Sequence, residues 1–279
     1  MNILSAGPEL IRDVAFLPAG RGETLDVYLP VERFDRPLPA VLLIHGGGWL
    51  HGDKAEARTA SIANDLVEAG YAVFSTDYLL NVGGRDEEIV LRITELAWPQ
   101  SLLDCAAALS FVQTNAERYH IDPDRIGVLG CSAGGHLAMM LGIPSALQAW
   151  SEEEGNREAS FGKVACVITS YGVADLRGQR LTPFPGSEDA SDLALEAKAS
   201  PLLYIGPDSP PFLVVHGTAD KTINVDQSRT LVERLAELDV PHRYVEIEGA
   251  PHSFDLRPSE LDLRPVVLDF LAEHLSAKE

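Results

Sequence analysis

A serine held between glycines marks the first place in this chain where chemistry is possible. The segment RIGVLGCSAGGHLAMMLG, Arg125 to Gly142, opens as an apolar run and continues in helix formers, with GCSAG (Gly130 to Gly134) at the join. A strand that turns sharply into a helix can carry a residue at its apex only where neighbouring bulk is missing, so small residues belong around it. The pattern is that of a G-x-S-x-G nucleophile elbow, which presents the Ser132 hydroxyl above a sheet and near the positive end of the following helix. A glycine-rich turn with a helix-capping serine fits the same residues.

A hydroxyl is a poor nucleophile unless a base removes its proton and a third group holds that base. PFLVVHGTADKTI offers an apolar strand followed by Asp220, and VEIEGAPHSF offers another followed by His252. Taken singly, Asp220 can be a helix cap and His252 a turn residue. Their order, Ser132, Asp220, His252, is the order expected of an α/β-hydrolase. Attack on a carbonyl also creates an oxyanion that needs preorganised donors. LLIHGGGWLHGDK supplies consecutive glycines after an early strand, which assigns the N–H groups of Gly47 and Gly48, with that of Ala133, to an oxyanion hole. Trp49 either lines the substrate pocket or is a core aromatic that braces the loop. His45, His51 and His136 read as structural, and Asp53 and Lys54 as residues that tie the loop down.

These residues need a scaffold that brings distant loops together. Short apolar runs alternate with longer amphipathic stretches, the pattern of a mostly parallel sheet flanked by helices. Strands are expected at LDVYLP, AVLLIH, YAVFSTDY, RIGVLG, VACVITS, PFLVVH and HRYVEIEG. Helices are expected at EARTASIANDLVEAG, SLLDCAAALSFVQTNAERY, the segment after Ser132, VDQSRTLVERLAELDV and SELDLRPVVLDFLAEHL. The fold class is therefore α/β, in one domain over 1–279. Stretches near 81–98, 145–161 and 177–199 break the rhythm and read as loop insertions or a small cap.

Composition narrows the partners. The 42 acidic residues against 22 basic ones give a net charge of -20, which disfavours nucleic acid and anionic membrane surfaces. No stretch approaches the length of a membrane span, and the N-terminus lacks the basic start and apolar run of a secretory signal. The three cysteines, Cys105, Cys131 and Cys166, have no zinc-ligand spacing, so no metal or cofactor is called for. Free thiols fit a cytoplasmic protein, as a monomer or a homodimer, with a small-molecule ester as its only expected partner.

Several separated motifs, IHGGGWLHGDK, GCSAGGHLA, YGVADL, FLVVHGTADKTINVDQS and GAPHSF, together resemble the BD-FAE-type α/β-hydrolases, close to the hormone-sensitive-lipase-like esterases. The resemblance runs from about Leu25 to the C-terminal helix. It implies a serine carboxylesterase acting on short acyl esters, among them acetyl or feruloyl esters of carbohydrates, with Ser132, Asp220 and His252 as the triad. Arylformamidases share the loop and the triad, so N-formylkynurenine hydrolysis is an alternative. A non-catalytic ligand receptor on the same fold is another, although receptors of that kind lack a working triad. Where relatives often have DYRL, this chain reads DYLLNVGGRDEE, with Leu79 in the arginine's place.

Overall fold

The apolar runs of the chain are too short for core helices and too continuous to alternate, which suits strands buried on both faces. In the computed structural model, which describes residues 8–31, 35–85, 91–153, 162–179, 182–184 and 190–277, each of them is a strand. The strands are β1 (Glu9–Ala15), β2 (Thr24–Leu29), β3 (Leu38–Ile44), β4 (Ala72–Thr76), β5 (Val82–Arg85) and β6 (Leu91–Glu95), then β7 (Ile121–Cys131), β8 (Cys166–Ser170), β9 (Phe212–Gly217) and β10 (His242–Ile247). The helices are α1 (Ala57–Glu68), α2 (Gln100–Thr114), α3 (Ala116–Tyr119), α4 (Ala133–Gly142), α5 (Pro144–Glu153), α6 (Ala190–Lys198), α7 (Asp226–Glu237) and α8 (Arg264–His274).

Eight strands form one sheet in the order β1-β2-β4-β3-β7-β8-β9-β10. β1 and β2 are antiparallel to their neighbours, and all pairs from β4 to β10 are parallel. Alternation across the pleat sends Val41 and Leu43 to one face, where Ile62 and Leu66 of α1 and Phe270 and Leu271 of α8 cover them. Leu42 and Ile44 point to the other, against Leu102 and Leu109 of α2 and Leu137 of α4. The α4 residues are all buried, which explains why this helix is apolar all round, while α7 buries only a stripe through Ser228, Leu231 and Leu235.

Topology fixes where loops meet. From β3 the chain crosses through α1 to β4, then returns over β3 through α2 and α3 to β7, so the winding reverses between β3 and β7. Ile44 pairs with Gly130, Cys131 with Ser170, Ser170 with Val215, and Gly217 with Ile247. The strands therefore end at one edge, and the loops carrying Gly46 to Gly48, Ser132, Asp220 and His252 all leave from it. Ligand sites of open α/β sheets lie at such a reversal point.

Three departures from the expected elements have physical reasons. The polar N-terminal strand β1 was not expected; it is an edge strand whose pairing is interrupted between Ile11 and Val14, and Asp13 has φ 55°. The last helix starts at Arg264 rather than in SELDL, because Pro265 favours a first helical turn and Asp262 takes the Arg264 N–H at 3.0 Å. The supposed insertions contain the β5–β6 hairpin, α5 and α6, and they contribute buried Trp98, Trp150, Phe184 and Ala199 to the core. Much of the expected loop LTPFPGSEDASD, with 86–90 and 154–161, lies outside the described residues.

Candidate active site

The close approach of helix to strand at GCSAG is what its glycines permit. A Cβ on Gly130 would lie 2.0 Å from the Gly134 carbonyl oxygen, and one on Gly134 would lie 2.2 Å from that of Ile44 and 2.4 Å from that of His45. Between them Ser132 has φ 56°, a left-handed conformation costly for a residue with a side chain. Its N–H bonds the Ser170 carbonyl at 2.9 Å, and its own carbonyl takes the His136 N–H at 3.0 Å, so the strained residue is pinned on both sides. Ala133 begins α4, whose N-terminal N–H groups carry partial positive charge.

The three sequence-selected residues meet at the sheet edge. His252 Nε2 lies 3.0 Å from Ser132 Oγ, and His252 Nδ1 lies 2.6 Å from Asp220 Oδ2. A carboxylate only accepts, so the proton sits on Nδ1 and leaves Nε2 free to accept from the serine hydroxyl. The Asp220 side chain is fully buried; its Oδ1 takes the N–H groups of Thr222 and Ile223 at 2.8 and 2.9 Å. Burial pushes its pKa up, but donors from His216, His252 and the Ile223 amide outweigh that and hold the carboxyl well below the usual range. The site thus contains an ionised acid, an oriented imidazole and a hydroxyl, an arrangement able to generate an alkoxide.

The loops carrying Asp220 and His252 are stitched to each other. Ala219 N–H bonds the Ala250 carbonyl at 3.1 Å, Thr218 N–H that of Ile247 at 2.9 Å, and Gly249 N–H the Thr218 hydroxyl at 2.9 Å. A Cβ on Gly217 would come within 2.2 Å of the Ala250 carbonyl oxygen, so glycine sets this approach. Just after β8, Tyr171 packs its ring edge-on to His252 at 4.7 Å and donates its hydroxyl to the Phe254 carbonyl at 2.5 Å.

The loop after β3 is built just as tightly. Gly47, at φ 120°, accepts from the Leu50 and His51 N–H groups, and a Cβ there would lie 1.9 Å from the His51 carbonyl oxygen. A Cβ on Gly46 would sit 3.3 Å from that of Ser132, so the loop lies against the elbow. His45 donates from Nδ1 to the Gly46 carbonyl at 2.7 Å and stacks on Tyr78 at 4.4 Å. Lys54 reaches Asp13 at 2.8 Å and Asp77 at 3.3 Å, tying the loop to the antiparallel edge, and Asp53 takes the Ala55 N–H at 2.7 Å. His51 is exposed.

Trp49, next to the glycines, is packed into the core. The indole is 2% exposed, its Nε1 has no hydrogen-bond partner among the described residues, and its ring meets His136 at 5.3 Å. His136 in turn meets Trp98, which packs edge-on to Phe184, so Trp49 sits at one end of a connected aromatic row. His136 donates from Nε2 to the Ala199 carbonyl at 2.8 Å, and burial pushes its pKa down to about 4. Cys131 is buried against the sheet and burial raises its pKa, so its thiol is protonated.

Two buried partnerships have almost no trace in the sequence. Leu79 offers only its N–H to the buried Asp104, at 2.9 Å; the guanidinium there comes from Arg21, at 2.5 Å, across 83 residues of chain. His216, read only as the end of an apolar strand, is buried against Asp220; its sole signal was the four-residue spacing in HGTAD.

The BD-FAE family profile matches residues 25–235. Among curated proteins, the esterase LipC of Mycobacterium tuberculosis is 29% identical over 246 residues, covering 84% of this chain and 57% of that protein. The chain thus spans a little over half the length of that relative. Among solved structures, a truncated carbohydrate esterase from gut microbiota superposes with a TM-score of 0.78 at 22% identity, covering 98% of this chain and 99% of that one. A thermophilic esterase from Thermogutta terrifontis, Est2, superposes with a TM-score of 0.74 at 23% identity, covering 99% and 96%. The likeness establishes the α/β-hydrolase fold.

Proposed function

Because the chain belongs to the BD-FAE family, we propose that it is a serine carboxylesterase that hydrolyses short-chain acyl esters, acetyl or feruloyl esters of carbohydrates among them, through an acyl-enzyme. The observation that carries the reading is the unbroken chain of hydrogen bonds from Asp220 through His252 to Ser132, at 2.6 and 3.0 Å. A hydrolase-fold receptor has no use for such a chain. Relatives and structural neighbours described as esterases support the same class.

In the first half-reaction His252 Nε2 takes the Ser132 proton while Oγ bonds the ester carbonyl carbon, and the carbonyl electron pair moves onto oxygen. Gly47, Gly48 and Ala133 N–H groups receive that oxyanion. In support, no described backbone carbonyl takes the N–H of Gly47 or Gly48. One such donor is worth about 3 kcal/mol in the barrier. Collapse of the intermediate breaks the bond to the alcohol, which leaves with the proton held on His252. Water then attacks the acyl-enzyme, giving its proton to the same nitrogen, and the acid departs with Ser132 restored. Asp220 stays ionised throughout and stabilises the imidazolium.

Trp49, next to the glycines of the oxyanion loop, is buried against His136, on which Trp98 also packs; such bulk beside the loop supports a small acyl group. Three unpaired buried cysteines support a reducing, cytoplasmic setting. The test is a panel of p-nitrophenyl esters of rising chain length, acetylated and feruloylated sugars, and N-formylkynurenine. Acetate and other short esters are expected to turn over best, and Ser132→Ala to abolish turnover. Activity retained in that variant, or faster cleavage of the formamide than of any ester, would overturn the proposal.

A further inference from the structure

We infer that His216 is a positioning residue for the Asp220–His252 pair, an inference that rests on the esterase reading. Its ring is fully buried at the end of β9, one residue before the glycine from which the Asp220 loop departs. Nε2 lies 3.2 Å from Asp220 Oδ2 and 3.0 Å from the Ile223 carbonyl oxygen. Both neighbours only accept, so Nε2 carries a proton shared between them. Nδ1 lies 2.7 Å from Ser228 Oγ on α7, which fixes the ring from its other side.

Two consequences follow for Asp220. The turn Asp220 to Ile223 is closed from both directions: Asp220 Oδ1 accepts the Ile223 N–H, and His216 Nε2 donates to the Ile223 carbonyl. The carboxylate is therefore clamped in rotation, not merely in place. Second, Oδ2 lies between two imidazoles, 2.6 Å from His252 and 3.2 Å from His216. A donor on the far side of Oδ2 draws charge away from the atom that faces His252. His216 thus lowers the pull of Asp220 on the His252 proton while it fixes the direction of that pull. The other charged groups facing this ring come from β10 and α7: Glu246 pairs with His216 in the strand register, and Arg229 holds that carboxylate at 2.7 and 2.9 Å. His252 also faces Tyr171, which directly follows β8 and whose hydroxyl donates to the Phe254 carbonyl.

His216→Leu removes the donor, and His216→Gln can return an N–H close to the Nε2 position. Rates are measured on p-nitrophenyl acetate, and each is divided by the concentration of sites titrated with a fluorophosphonate, so misfolded protein drops out. We expect kcat of His216→Leu to fall about 10- to 100-fold with KM within about twofold, the acid limb of the kcat/KM profile to move to higher pH, and His216→Gln to recover most of both. Where His216→Leu does not fold, Ser228→Ala frees Nδ1 and carries the test, with a smaller fall in kcat and the same direction of the limb. An unchanged acid limb with unchanged kcat per titrated site overturns the inference and leaves the esterase reading standing. A wild-type protein that neither turns over the ester nor takes the phosphonate overturns both.

Discussion

Gly134→Ala isolates the contact that joins the elbow to the oxyanion loop. The added methyl would stand 2.2 Å from the Ile44 carbonyl oxygen, where about 3.0 Å is the least a Cβ tolerates, so backbone must retreat by 0.8 Å. Both atoms in the way are backbone, the carbonyls of Ile44 and His45, and cannot swing aside as a flexible side chain would. The retreat separates α4 from the end of β3, which pulls the Ala133 N–H and the Ser132 hydroxyl away from Gly47 and Gly48. Misplacement by about 1 Å costs roughly 100-fold in rate, which is about 2.7 kcal/mol of barrier. Overpacking adds about 1–3 kcal/mol to the loss of stability. Gly178→Ala is the comparison: it has φ 70° but nothing within 4 Å, so it bears conformational strain without a clash. Its expected penalty is about 1–2 kcal/mol in urea denaturation, with kcat/KM on p-nitrophenyl acetate unchanged. A Gly134→Ala variant with wild-type stability and kcat/KM within threefold of wild type would refute the reasoning.

Two further outcomes rest on buried charge. Arg21→Ala leaves the fully buried Asp104 with only the Leu79 amide and Gln100 as partners, and should lower stability by on the order of 2–3 kcal/mol in urea denaturation. Adding Asp104→Asn should recover part of it; a loss below about 0.5 kcal/mol contradicts the pairing. His136 titrates near 4 in the folded state against 6.5 for the free side chain, so between those values the unfolded chain binds a proton that the native one refuses. Stability should therefore fall as pH drops from 6.5 towards 4, by roughly 3 kcal/mol from this residue. The difference between wild type and His136→Gln across that range measures it, and parallel curves for the two proteins contradict it.

The elbow was legible because its chemistry is written in local spacing. Gly130 and Gly134 are four residues apart, and the Gly134 carbonyl lies where a Gly130 side chain would stand. The sheet was legible because strands buried on both faces leave continuous apolar runs, as in AVLLI and FLVVH. The antiparallel edge was not, since β1 alternates imperfectly around Asp13 and is half exposed. Nor were the roles of α5 and α6, whose few large apolar side chains, such as Leu147 and Trp150, sit among small and polar ones. Partners set by tertiary contact leave no local trace: Arg21 meets Asp104 across 83 residues, and His216 looks like one more strand residue until the fold turns Asp220 back onto it.

The most direct measurement is the mass of the protein after reaction with a fluorophosphonate, followed by mapping of the modified peptide. A single adduct per chain is expected, on Ser132, absent from Ser132→Ala and slowed in His252→Ala. An unmodified chain, or an adduct on a residue other than Ser132, would contradict it.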